Sequence, residues 1–141
     1  MSEVAYDSEP GLSVDEYLAV VGDSTLGASR PLADRTRVAE MLQHADLIVT
    51  ARIDGQCVGL ARCLTDFAWI CYCGDLAVRQ SFQRRGIGTG LLRACKKMLG
   101  DGVAITLLSA PEAVSYYERI GPALDLQRTP DAFFMPRRRD H

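Results

Sequence analysis

The stretch from Leu47 to Val78 constrains the fold more than any other part of the chain. Leu47–Ile53 is rich in β-branched residues, Asp54-Gly55 is a two-residue hairpin signal, and Cys57–Thr65 and Trp69–Val78 continue as strand-like runs. Three such runs in succession predict an antiparallel meander. The period then changes. Ile87, Leu91, Cys95, Met98 and Leu99 share one helical face, which Gly100-Asp101-Gly102 ends. Val103–Leu108 follows as a short apolar strand of the type expected at the centre of a sheet. A meander leading into a β-α-β crossover is an α/β arrangement.

Local signals fill in the flanks. Ser13-x-x-Glu16 is a capping box ahead of Tyr17, Leu18, Val20 and Val21, so a helix is expected from about Ser13. Gly22–Pro31 is small, polar and loop-like. Asp34 is placed to cap a second helix, with Val38, Met41, Leu42 and Ala45 on one face. Ser109-x-x-Glu112 is a further capping box, opening a helix expected to stop near Gly121. Phe133–Met135 is expected to add a last strand. With 141 residues and 48% hydrophobic content, residues 1–141 are expected to form a single domain.

Composition excludes several classes. A net charge of -2 gives no general attraction to nucleic acid or to an anionic membrane. Every charged residue up to Ser29 is acidic, whereas the end carries Arg137, Arg138 and Arg139, a run read as a solvated tail. The longest apolar stretches are far too short to span a bilayer, and the acidic beginning lacks a signal-peptide pattern. A cytoplasmic protein is the expectation. Its five cysteines fit no disulfide framework, and two histidines with one C-x-C pair make no zinc site, so no metal is expected. Cys57, Cys63, Cys71 and Cys73 read as small core residues.

The chemistry-bearing segment is Gln83-Arg84-Arg85-Gly86-Ile87-Gly88-Thr89-Gly90. It lies between a predicted strand and a predicted helix. Unpaired N–H groups and the helix dipole favour an anion there, glycines let it approach, and Arg84 and Arg85 add permanent charge. No Lys follows the glycines as a Walker A loop requires, and Leu91 stands where the dinucleotide fingerprint needs its third glycine. The segment instead resembles the coenzyme A loop of the GNAT superfamily of N-acetyltransferases, [QR]-x-x-G-x-[GA], through Gln83, Gly86 and Gly88. Ala113-x-x-x-Tyr117-Glu118-x-x-Gly121 looks like a later helix of the same family. The resemblance covers roughly residues 47–136.

It implies a GNAT-like fold: a mixed central sheet, an antiparallel meander and a β-α-β crossover, flanked by helices. Acetyl-CoA would be the co-substrate and an amine the acceptor, attacking the thioester directly in a ternary complex. The backbone of Leu76, Ala77 and Val78 would hold the pantetheine arm. The N–H groups of Arg84, Arg85, Gly86, Ile87, Gly88 and Thr89 would hold the pyrophosphate. Tyr117 matches the family tyrosine that stands near the coenzyme sulfur, and so would be the general acid. The base stays open among Asp66, Asp75 and a water chain. Pro122 and Ala110-Pro111 depart from the family pattern at the thioester end. A non-catalytic coenzyme A-binding module is the alternative function, with coenzyme A release from a panel of amines as the discriminating assay. Phe133-Phe134-Met135 reads either as cover for the domain's own sheet or as part of a homodimer interface.

Overall fold

A computed structural model describes residues 3–138. It divides into two compact units after Leu108.

The first unit is built on five strands in the order β1 (Ala5–Ser8), β2 (Leu47–Ile53), β3 (Gln56–Thr65), β4 (Ile70–Val78) and β5 (Ala104–Thr106). β1 to β4 pair antiparallel and β5 joins β4 parallel, so the predicted meander and crossover are both present. Asp54 and Gly55 have φ of 49 and 83, the doubly positive turn whose twist matches paired strands. Among the described residues the unit also has three α-helices: α1 (Val14–Gly22), α2 (Arg35–Gln43) and α3 (Ile87–Leu99). The Ser13 side chain accepts from the Glu16 N–H, and that of Asp34 accepts from Arg37, so both predicted caps are in place.

Alternation along β3 assigns the helices to opposite sheet faces. Leu60 packs with Tyr17, Val20 and Val21 of α1 and with Val38 and Leu42 of α2. A Cβ on the adjacent Gly59 would lie 3.2–3.3 Å from Leu91 and Ile87 of α3, so the missing side chain lets α3 sit close. Leu91, Leu92 and Cys95 are buried there, each full-sized aliphatic group contributing about 1.5–3 kcal/mol. Met98, expected on the same face, is exposed instead. All five cysteines are buried free thiols. Cys63, Cys71, Cys73 and Cys95 crowd together, and the Cys63 sulfur together with burial raises the other three above the usual thiol range.

Arg52 ties the acidic beginning of the chain to β2. It pairs with Glu9 at 2.7 Å and with Glu16 at 2.7 Å, and its guanidinium holds the Glu9 carboxyl below the usual range.

Five further expectations are corrected. β1 adds a strand to those predicted, because its short polar run becomes a strand only through pairing with β2. β5 lies at the edge of the sheet rather than at its centre. In the second unit Ser109 caps no helix. Its hydroxyl donates to the Ala110 carbonyl, and Pro111 opens a short 3-10 turn, so α4 (Val114–Leu124) begins later. α4 also runs through Gly121 and Pro122, and the left-handed residue that ends it is Asp125, with φ of 54. Gly121 serves another purpose: a Cβ there would lie 2.6 Å from the Leu126 carbonyl oxygen, which folds back onto the helix. Phe133–Met135 forms no strand and is exposed. Arg137 and Arg138 are exposed, and Arg139 lies outside the described residues.

Candidate functional site

β4 runs directly into the predicted loop. Its ladder with β5 covers only Ile70, Cys71 and Tyr72. From Cys73 to Val78 the strand partner among the described residues is β3 alone, so one edge of β4 is open. Leu76 and Val78 pair with Ala61 and Gly59, on the α3 face, while Ala77 pairs with Leu60 and points its methyl into the opposite core. The three residues assigned to pantetheine therefore follow one another along an unpaired strand edge.

Beyond Val78 the chain is held at several points. Arg79 donates from its backbone N–H to Val58 and from Nε to the Cys57 carbonyl, both across to β3. The Gln83 amide donates to the Val78 carbonyl at 2.9 Å, closing the loop on the strand end. Arg84 then takes φ of 66 and Gly86 φ of 77. Nothing lies within 4 Å of a Cβ placed on Gly86, so the glycine answers the backbone angle rather than lack of space. Gly86 is the N-cap of α3 and has no side chain to cap with. The N–H groups of Ile87, Gly88 and Thr89 thus open the helix without a capping side chain. Ile87 buries its side chain against Gly59, which leaves only its backbone for a ligand.

Arg84 and Arg85 are exposed, and neither forms an ion pair among the described residues. The Arg85 guanidinium lies 5.1 Å from the centre of the Phe82 ring. The helix dipole contributes about 0.3–2 kcal/mol to holding an anion here, and each charge-assisted hydrogen bond about 1.5–3 kcal/mol. Leu76–Val78 and Arg84–Thr89 are therefore brought together as one strand–loop–helix whose polar groups suit a polyanion on an extended arm.

The two carboxylates considered as bases are both engaged. Asp66 accepts from the N–H groups of Trp69, Ala68 and Ile70, and these bonds hold it below the usual carboxylate range. Asp75 is buried, which alone would raise it. Arg62, Arg30 and the Tyr17 hydroxyl outweigh burial and hold it below the usual range. Neither group has the poised affinity for a proton that a general base at neutral pH requires. The Asp75 cluster escapes sequence reading, since its members are 13 to 58 residues apart. A carboxylate inside an apolar strand is its one local signal.

In the second unit Tyr117 lies on α4, half-buried. Its ring meets that of Tyr116 edge-on with centroids 5.1 Å apart, and Arg119 lies 5.5 Å from the Tyr116 ring centre. Among the described residues no group of three or more His, Cys, Asp or Glu is placed to hold a metal ion, and no helix is long and apolar enough to cross a membrane.

Residues 27–123 match the family model described as an acetyltransferase (GNAT) domain. An uncharacterized N-acetyltransferase of Porphyra purpurea, ycf52, is 27% identical over 121 residues, covering 82% of this chain and 68% of that protein. Two solved structures show the same fold. A GNAT-family acetyltransferase of Streptococcus pneumoniae TIGR4 superposes with a TM-score of 0.66 at 19% identity, covering 96% of this chain and 100% of that one. An aminoglycoside N-acetyltransferase in complex with CoA gives a TM-score of 0.71 at 18% identity, covering 98% of this chain and 97% of that one.

Proposed function

The chain belongs to the GNAT acetyltransferase family and is an enzyme, and we propose that it moves the acetyl group of acetyl-CoA to a primary amine by direct attack in a ternary complex. The observation that carries the reading is the open edge of β4 from Cys73 to Val78, continuous with the uncapped start of α3. The backbone of Leu76, Ala77 and Val78 hydrogen-bonds the pantetheine amides, much as an added strand would. Arg84, Arg85 and the N–H groups from Gly86 to Thr89 hold the pyrophosphate.

The chemistry needs few protein groups. The amine lone pair attacks the thioester carbonyl, the C–N bond forms as the C–S bond breaks, and the sulfur takes a proton. Backbone N–H groups near Val78 stabilise the developing oxyanion. Tyr117, by its motif register, donates the proton to sulfur. The amine's own proton leaves to water, since Asp66 and Asp75 are already committed elsewhere. Both compact units act as one acetyltransferase domain in this reading, supported by a family match that runs across Leu108. Five unpaired thiols accord with a cytoplasmic location.

The test is coenzyme A release from acetyl-CoA with a panel of primary amines, alongside calorimetric binding of acetyl-CoA. Saturable binding and turnover of at least one amine are expected. Absence of acetyl-CoA binding to the folded protein would sink the proposal.

The reading includes a homodimer. Phe133 is 99% exposed and Met135 89%, a high exposure for neighbouring apolar residues, and a second copy is an occupant able to cover them. Sedimentation velocity should give twice the chain mass at micromolar concentration, reverting towards the monomer in Phe133→Ser/Phe134→Ser. A strict monomer at high concentration removes the dimer.

A further inference from the structure

We propose that Arg30 and Arg62 form an anion subsite beside Gly74 and that the acceptor is therefore a small amine that also carries a carboxylate. The inference rests on the acetyltransferase reading and specifies its second substrate.

It starts from a charge imbalance. Two guanidiniums converge on the single carboxylate of Asp75, Arg30 at 2.5 Å and Arg62 at 2.6 Å. Tyr17 adds a third bond at 2.7 Å but no charge, because burial and the adjacent Asp75 raise its phenol above the usual range. One positive charge is left over. Among the described residues neither guanidinium pairs with any acid other than Asp75. A partly desolvated cation without a counter-charge favours an anionic ligand, and a guanidinium presents a fork matched to carboxylate.

The surroundings give that ligand access and shape. Asp75 is fully buried, whereas the side chains of Arg30 and Arg62 keep 24% and 13% exposure. Gly74 is the extra residue of a bulge, since Arg62 pairs with Asp75 and Cys63 with Cys73. A Cβ on Gly74 would lie 3.1 Å from Arg62 Nη2 and 3.6 Å from the Tyr72 ring, so the missing side chain lets the Arg62 guanidinium pack close over the bulge, beside an aromatic edge. Arg30 Nη2 also donates to the Gly74 carbonyl at 2.7 Å, pinning the α1–α2 connection to this bulge. Exposed Leu64, Ile70 and Tyr72 lie on the same face and offer an apolar wall for the carbon chain of an acceptor. Asp75 is the immediate neighbour of Leu76, where the proposed pantetheine edge begins. An acceptor held by its carboxylate at Arg62 would thus lie beside the strand that presents the thioester.

The test compares an ω-amino acid with its primary amide as acceptors, in wild type, Arg62→Gln and Arg62→Lys. The acid should exceed the amide in kcat/KM by about 10–100-fold, the equivalent of one charge-assisted contact. That ratio should collapse towards unity in Arg62→Gln and be partly retained in Arg62→Lys. Equal use of acid and amide by wild type overturns the subsite, as does an unchanged ratio in folded Arg62→Gln. A measurement independent of turnover is NMR of the arginine Nε–H groups, with and without coenzyme A. The Arg62 signal should shift on titration with the acid and not with the amide, and a static signal overturns the subsite too. Acetyl-CoA calorimetry separates the two levels. Failure to bind acetyl-CoA strikes the acetyltransferase reading, whereas binding and amide turnover without acid preference strike the subsite alone.

Discussion

Reversing both loop charges, Arg84→Glu together with Arg85→Glu, is expected to weaken acetyl-CoA binding by about 10²–10⁴-fold. Two charge-assisted hydrogen bonds at about 1.5–3 kcal/mol each give roughly 3–6 kcal/mol, and each 1.4 kcal/mol is a decade of affinity. The fold should be little affected. Both side chains are exposed, and neither forms an ion pair among the described residues. Within the protein the double change takes the Arg85 guanidinium off the Phe82 ring, an interaction worth only about 0.5–1 kcal/mol at an exposed site. Charge reversal is a cleaner probe than filling Gly88, which is buried in the first turn of α3, so that a bulky side chain there would disturb packing as well as binding. Calorimetry at fixed ionic strength, with circular dichroism as the control for folding, makes the comparison. Affinity within about threefold of wild type would remove the loop from the coenzyme site. The wild-type affinity should also fall as salt is added, since exposed charges are screened over about 10 Å at 0.1 M.

What is legible in the sequence follows how local each determinant is. β2 has the predicted bounds because its β-branched run meets a turn that only a pair of positive φ angles can make. Ser13 and Asp34 cap their helices through bonds spanning three residues, and such bonds are written in adjacent letters. The loop is readable for the same reason: Gln83, Gly86 and the start of α3 lie within a few residues of each other. Ser109 shows the limit of a local rule, since the same capping pattern is overridden by Pro111 two residues later. β1 and the edge position of β5 depend on which distant strand offers a free edge. The Arg30–Asp75–Arg62–Tyr17 cluster is the least legible feature, because elements far apart in sequence must fold before its charges meet. Only its buried acid is visible beforehand, as a carboxylate within an apolar strand.

Tyr117→Phe is expected to lower kcat by about 10²–10⁴-fold, the usual contribution of a positioned acid. The change deletes the phenolic oxygen and its proton and keeps the ring, so the edge-on packing with Tyr116 is retained. Acetyl-CoA affinity should change by no more than about tenfold, because one neutral hydrogen bond is worth roughly 0.5–1.5 kcal/mol. A tyrosine that only packs predicts almost no change in either quantity, and one that only binds coenzyme predicts a loss of affinity with kcat retained. The leaving group provides a further discrimination. A coenzyme thiol of pKa near 8.5 gains from protonation as it departs, whereas a more acidic thiol leaves readily as the anion. Acetyl thioesters of increasingly acidic thiols should therefore narrow the gap between wild type and Tyr117→Phe if the hydroxyl protonates sulfur. A gap that stays constant across the series, with chemistry rate-limiting in both enzymes, would assign the hydroxyl to positioning rather than to proton transfer. Near-normal kcat in the variant would take Tyr117 out of the reaction, and the thiolate would then leave unassisted or with a proton from water.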